Sequence, residues 1–164
     1  MTEPVTHGSF TLTRTFEAPP ARVFAAFSDI RLKALWFGDP VQLDTDQWEF
    51  DFRPGGSETN HFAYSDEQVE GTPLPRGTTG SFHARYFDIV ENERIVLAYE
   101  MVINGQRISV SLQTVEFQAA GTGTTLTLTE HGAFLEASDG VDLRRDGTGG
   151  LLDKLGASLD SATG

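Results

Sequence analysis

Ile95-Val96-Leu97-Ala98-Tyr99-Glu100-Met101-Val102-Ile103-Asn104-Gly105-Gln106-Arg107-Ile108-Ser109-Val110-Ser111-Leu112 is the stretch that decides the fold class. Ile95, Leu97, Tyr99 and Met101 occupy alternate positions in its first half, the period-two pattern of a strand with one buried face. Asn104-Gly105 then supplies a two-residue primed turn, the strongest hairpin signal in the chain. Ile108, Val110 and Leu112 continue on the returning strand. Beyond them the apolar positions pass to Val115 and Phe117, so a bulge is expected between Leu112 and Val115.

The same period extends outward on both sides. Upstream, Phe82, Ala84 and Tyr86 alternate with Ser81, His83 and Arg85, and Phe62 and Tyr64 share a face with Asn60. Trp48, Phe50 and Phe52 alternate with Glu49, Asp51 and Arg53 before a Pro54-Gly55-Gly56 turn, and residues 65–80 read as a polar surface loop. Downstream, Gly121-Thr122-Gly123 turns the chain into a strand with Leu126 and Leu128 pointing inward. At the front, Phe10, Leu12 and Phe16 alternate with threonines, and Pro19-Pro20 closes that strand. Pro20 suits a first helical position. Val23, Phe24, Phe27 and Ile30 follow at helical spacing, then a second short helical stretch from Asp29 to Trp36. The last segment, about 144–162, carries Leu151, Leu152, Leu155 and Leu159 at helical spacing. Helices segregated from an antiparallel sheet define an α+β class, with the terminal helix covering the sheet.

Composition bounds the function. The chain has 164 residues, 38% of them hydrophobic, with 12 Phe, 2 Trp and 3 Tyr, which suits one globular domain with an aromatic core. Residues 1–8 read as an N-terminal tail and 9–162 as the domain. Lys and Arg number 12 against 24 Asp and Glu, a net charge of -12 that disfavours phosphate backbones and anionic lipid. Nucleic-acid binding and membrane insertion are therefore not expected. Cysteine is absent, which excludes thiol chemistry and disulfides. Without a basic-then-apolar leader at Met1-Thr2-Glu3-Pro4 or a membrane-spanning run, a soluble cytoplasmic protein is expected.

Several stretches, taken in order, resemble one family. Thr11 to Pro19, with Val23-Phe24 and Leu35-Trp36-Phe37, is similar to the opening of START-like proteins, the SRPBCC superfamily. Arg53-Pro54-Gly55-Gly56, Asp88 to Val96, Gly123 to Gly132 and Leu151 to Leu155 resemble one branch of it, named after the activator of the ninety-kilodalton heat-shock protein's ATPase. The resemblance runs from about residue 9 to 160. It implies a helix-grip fold: a curved seven-stranded antiparallel sheet around a long C-terminal helix, two short helices after the first strand, and a cavity between sheet and helix. Two departures stand out. Gly147-Thr148-Gly149-Gly150 occupies the place where many relatives begin the terminal helix with Gly-Trp, and Glu91-Asn92 replaces a turn with two prolines. The missing indole and the glycines lead to an expectation of a loose first helical turn, over 144–150, at the cavity mouth.

Motifs of established chemistry are sparse. His7, His61, His83 and His131 show no HExxH pattern and read as solvated strand histidines, so no metal is expected. Asp44, Asp46, Glu49 and Asp51 lack the glycine that an EF-hand loop needs at its sixth place and read as a solvated rim. Gly147-Thr148-Gly149-Gly150 has Leu152 where a dinucleotide fingerprint needs its third glycine, and no cofactor is expected. More telling are Asn60, Tyr64, Tyr86, Tyr99, Glu130 and Arg14, polar groups on an otherwise apolar inner face. That mixture suits a small-molecule pocket, and equally tyrosines whose hydroxyls reach the rim of a solid core. If the first and last strands are neighbours, as the implied fold has them, Arg14 and Glu130 are expected to pair.

The sequence thus points to a protein that holds a small apolar ligand, aromatic or lipid- or polyketide-like, under its terminal helix. The expected ligand-binding residues are Trp36, Phe52, Phe62, Tyr64, Tyr86, Tyr99, Met101, Glu130, Leu151 and Leu155. Two alternatives stay open. One is a cyclase- or hydratase-type enzyme with Glu130 or a tyrosine as general acid or base; no catalytic residue is assigned. The other is a co-chaperone with a chaperone partner, implied by the branch's name alone.

Overall fold

The computed structural model describes residues 4–38, 48–135 and 140–161. Alternating residues build seven strands: β1 (Thr6–Phe16), β2 (Trp48–Phe50), β3 (Ser57–Ala63), β4 (Thr79–Val90), β5 (Arg94–Ile103), β6 (Gln106–Ala120) and β7 (Gly123–Phe134). They form one antiparallel sheet in the order β1-β7-β6-β5-β4-β3-β2. The chain-distant β1 and β7 close beside each other, as the helix-grip expectation requires. β1 begins at Thr6, within the stretch that the sequence reads as a tail.

Two short helices follow β1. Pro20 opens α1 (Pro20–Ser28), and the Asp29 carboxylate accepts from the Arg31 amide to cap α2 (Ile30–Phe37). The Trp36 indole donates to the Ala26 carbonyl at 2.9 Å and ties α2 back onto α1. The expected loop at 65–80 contains one turn of helix, α3 (Asp66–Val69), closed by a Ser65–Gln68 capping box. At the β5–β6 hairpin, Asn104 and Gly105 both take positive φ, 49° and 80°, as a primed turn demands.

The terminal helix α4 (Val141–Ser161) starts earlier than the sequence reading allows and runs through Gly147, Gly149 and Gly150. Its course along β1 explains part of that glycine content. A Cβ at Gly8 would lie 2.6 Å from Val141, one at Gly149 3.2 Å from the Arg14 guanidinium, and one at Gly156 3.2 Å from the Phe16 ring. Small residues on both partners let helix and strand approach closely. Gly150, by contrast, is exposed, and a Cβ there would meet nothing within 4 Å. Leu152, Leu155 and Leu159 anchor the helix in a core with Phe24, Phe27, Phe117, Leu126 and Leu128. None of the described helices is long and apolar enough to cross a membrane.

Candidate functional site

β6 is inside out over its first half. Ser109 and Ser111 are 0% and 2% exposed, whereas Val110 and Leu112 are each 45% exposed. The cause is a register shift: Met101 pairs with Ser109 and Val102 with Arg107, leaving Ile108 as the extra residue. The bulge expected between Leu112 and Val115 therefore sits at Ile108. From Ser109 onward one unbroken alternation carries Ser109, Ser111, Gln113, Val115 and Phe117 to the inner face.

The polar groups converge on Glu130 of β7, which is fully buried. Tyr99 donates its phenol proton to Glu130 Oε2 at 2.8 Å, and the Gln113 amide donates to Oε1 at 3.0 Å. Arg144, on the second turn of α4, reaches down between them. Its guanidinium donates to Tyr99 Oη at 3.0 Å and to Ser109 Oγ at 2.6 Å, and lies 3.5 Å from Glu130 Oε2. It also sits over the rings of Tyr99 and Phe134, 5.6 and 5.5 Å from their centres. Burial holds the Tyr99 hydroxyl well above the usual tyrosine range; Arg144 opposes that and Glu130 adds to it. Tyr64 is also shifted upward by burial, against the pull of the same Arg144 charge. Both stay protonated, so Tyr99 serves Glu130 as a donor. Ser111 Oγ, in register between Tyr99 and Gly132, is buried without a hydrogen-bond partner.

A second buried set lies across the sheet. Glu58 of β3 is 0% exposed and accepts from Lys33 of α2 at 2.5 Å, from Tyr86 at 2.5 Å and from the Trp48 indole at 2.9 Å. The Lys33 ammonium lies 4.5 Å from the Phe37 ring centre and 5.4 Å from that of Phe50. Burial first, then the Glu58 charge and hydrogen bond, push the Tyr86 hydroxyl well above its ordinary value. Asn60 Oδ1, in register with Trp48 and Phe82, is buried without a partner.

The residues singled out from the sequence divide between these surroundings. Tyr99 and Glu130 meet directly. Met101 is half-buried and opposite Ser109, while Phe62 packs edge-on against Tyr64 at 5.2 Å. Tyr86 belongs to the Glu58 set, with Phe52 against it at 5.0 Å. Trp36 and Leu155 are buried in the core, and Leu151 packs half-buried at its edge. Arg14 does face inward, yet its expected partner is wrong. Cross-strand register places it opposite Leu126 and puts Glu130 opposite Phe10, four residues away, about 13 Å along a strand. Arg14 instead bridges to Asp153 of α4 at 3.0 Å.

Sequence reasoning missed Arg144, Gln113, Ser109, Ser111, Lys33 and Glu58. Glu58 had a signal, since it lies two residues before Asn60 on the same face. Lys33 had one too, standing three and four residues before Trp36 and Phe37. The outer face of the sheet carries His61 and His83, whose rings meet edge to face at 5.7 Å despite showing no pairing in the sequence. A groove of about 520 Å³ opens beside them, edged by His61, Phe62 and the Asn104–Gly105 turn. Among the described residues no three His, Asp or Glu side chains converge as metal ligands. Asp44 and Asp46 lie outside the described residues.

Residues 17–160 match the family model described as activator of Hsp90 ATPase homolog 1-like protein. Mll3558 from Rhizobium loti is 40% identical over 95% of this chain and 99% of its own, with a TM-score of 0.82. An uncharacterized protein from Rhizobium leguminosarum is 37% identical over 96% of this chain and 97% of its own, at 0.81. DynU16, from the dynemicin biosynthetic locus, shares the fold at 17% identity and a TM-score of 0.67, over 94% of this chain and 48% of its own. No curated protein matches the chain.

Proposed function

The chain belongs to the activator of Hsp90 ATPase homolog 1-like family, within the SRPBCC superfamily, and on that premise we propose that it binds a small, largely apolar molecule on the inner face of its sheet. The polar end of that molecule would meet the Tyr99–Glu130–Arg144 set, with Phe62, Met101 and Tyr64 as the adjoining, partly exposed wall.

The inverted stretch of β6 carries this reading. Burying a valine or leucine side chain contributes about 1.5–3 kcal/mol. Here Ser109 and Ser111 take the buried places while Val110 and Leu112 remain 45% exposed. A strand selected for stability alone would exchange those residues. Departures of this kind from local pattern are expected where a function is served. The unpartnered Ser111 hydroxyl supports the same conclusion, because an unsatisfied buried polar atom costs about 1–3 kcal/mol unless something else binds it.

The state of the tyrosines argues against one catalytic alternative, a phenolate base. Tyr86 and Tyr99 are both held above the ordinary phenol range, which suits hydrogen-bond donors and opposes a phenolate base. The test is native mass spectrometry of the protein purified from its own cells. A bound mass released by organic solvent is the expected result. A protein that emerges bare and takes up no apolar probe would refute the proposal.

A further inference from the structure

Resting on the binding reading above, we infer that the polar end of the bound molecule is uncharged, a hydroxyl or carbonyl on an apolar body, and that the Ser111 hydroxyl holds it. The argument begins with charge. Among the described residues the buried ionised side chains are Lys33, Glu58 and Glu130, and the Arg144 side chain is only 11% exposed. They are matched one to one, Lys33 with Glu58 at 2.5 Å and Arg144 with Glu130 at 3.5 Å. At the margin Arg14 is matched by Asp153. The interior therefore sums to zero although the whole chain carries -12.

A carboxylate or phosphate entering this space would draw Arg144 away from Glu130 and leave one negative charge unmatched. An ammonium group would do the reverse, occupying Glu130 and stranding Arg144. Either leaves a buried charge uncompensated, the costly outcome for such pairs. At longer range the chain's excess of negative charge adds a further barrier to anions.

The hydrogen-bond inventory then locates the contact. The phenol proton of Tyr99 and an amide proton of Gln113 are committed to Glu130, while Arg144 is committed to Tyr99 and Ser109. Among the described residues, Ser111 Oγ is the one fully buried polar side-chain atom of this cluster without a hydrogen-bond partner. A serine hydroxyl both donates and accepts, so it satisfies a carbonyl or a hydroxyl equally. Gly132 is the cross-strand neighbour of this hydroxyl, and a Cβ there would lie 2.9 Å from the Phe134 ring and 3.0 Å from Ser111 Oγ, so glycine is what lets the ring pack beside it.

The test uses matched probes on two skeletons, naphthalene and a ten-carbon chain, each bearing a hydroxymethyl, carboxylate or aminomethyl group. Affinities are read at neutral pH from quenching of the two tryptophans. The alcohols should bind about tenfold or more tighter than either charged partner, the order expected when a buried pair is broken. Ser111→Ala should weaken the alcohols by about two- to tenfold, the worth of one hydrogen bond, while leaving the melting temperature unchanged or raised. A carboxylate or ammonium probe that binds as tightly as its alcohol would overturn the uncharged assignment. Unchanged alcohol affinity in Ser111→Ala would overturn the role of Ser111. Failure of all six probes would instead overturn the binding reading on which this inference rests.

Discussion

Glu58 on β3 and Glu130 on β7 are held alike at two separate places on the inner face of the sheet. Each is a fully buried strand carboxylate that accepts a hydrogen bond from a tyrosine hydroxyl and faces a cation from a helix. In each case the cation also reaches the tyrosine oxygen, at 3.4 Å for Lys33 on Tyr86 and 3.0 Å for Arg144 on Tyr99. The two ion pairs thereby fasten α2 and α4, the helices that cover the inner face. A carboxylate with three partners is well compensated, but the arrangement depends on every member.

Removing Glu130 tests that dependence at the α4 end. Glu130→Ala strands Arg144 and leaves Gln113 without its acceptor, and the expected loss is about 3–5 kcal/mol in a denaturant titration. Arg14→Ala breaks the neighbouring but exposed bridge to Asp153, whose side chain is 70% exposed. Its expected loss is about 0–1 kcal/mol. Equal losses for the two variants would contradict the separate environments assigned to them.

The α2 end is better probed by a cycle. Lys33→Met leaves Glu58 charged and buried, with an expected loss of about 3–5 kcal/mol. Adding Glu58→Gln removes that charge and keeps one acceptor oxygen, enough for the Trp48 indole, while the Tyr86 hydroxyl can turn to accept from the new amide, so the double variant should be more stable than Lys33→Met alone. Additive losses would show that Lys33 and Glu58 do not interact.

What the sequence reveals and what it hides follow from one distinction. Periodicity reports which face of a strand or helix is apolar, and so β1, β4, β5 and β7 were legible, with Tyr99 and Glu130 on their inner faces. Periodicity misleads where apolar and inward part company. Val110 and Leu112 read as core residues because nothing local marks Ile108 as a bulge; that shift depends on pairing with β5. Arg14 and Glu130 share neighbouring strands, yet which residues meet is a matter of register, and their register separates them. Arg144 was invisible for a further reason. It stands in a glycine-rich helical segment with little amphipathic pattern, and its role depends on where α4 crosses the sheet. The candidate site was therefore half legible: its strand residues by alternation, its helix cation not at all.

The glycines of α4 make a prediction of opposite sign to the others. Gly147 and Gly150 are exposed helical positions where a Cβ would meet nothing within 4 Å. Gly147→Ala and Gly150→Ala should each stabilise the protein by about 0.8–1 kcal/mol, the helix-propensity difference. Gly149→Ala should gain less, since its Cβ would press on Arg14 at 3.2 Å. Hydrogen exchange checks the local origin of the effect. Slower exchange confined to 141–150 is expected, and a melting temperature unmoved by both exposed substitutions would contradict it.

The tyrosines give the pH dependence. The chain has three, Tyr64, Tyr86 and Tyr99, and all three are shifted above 10.0, chiefly by burial. A group whose pKa is raised on folding binds its proton more tightly in the native state. Its contribution is complete below pH 10 and is lost as pH rises above that, because the unfolded chain then holds fewer protons than the folded one. Stability should accordingly fall with pH on the alkaline side. Absorbance at the tyrosinate band checks this directly, followed together with circular dichroism. The folded protein should show no tyrosine ionising at the ordinary pH near 10. Half-buried Tyr64 should contribute first, and Tyr86 and Tyr99 should ionise only as the fold is lost. If two or more tyrosines titrate normally while the dichroism stays native, at least one of the buried phenol–carboxylate pairs at Glu58 and Glu130 does not exist in solution.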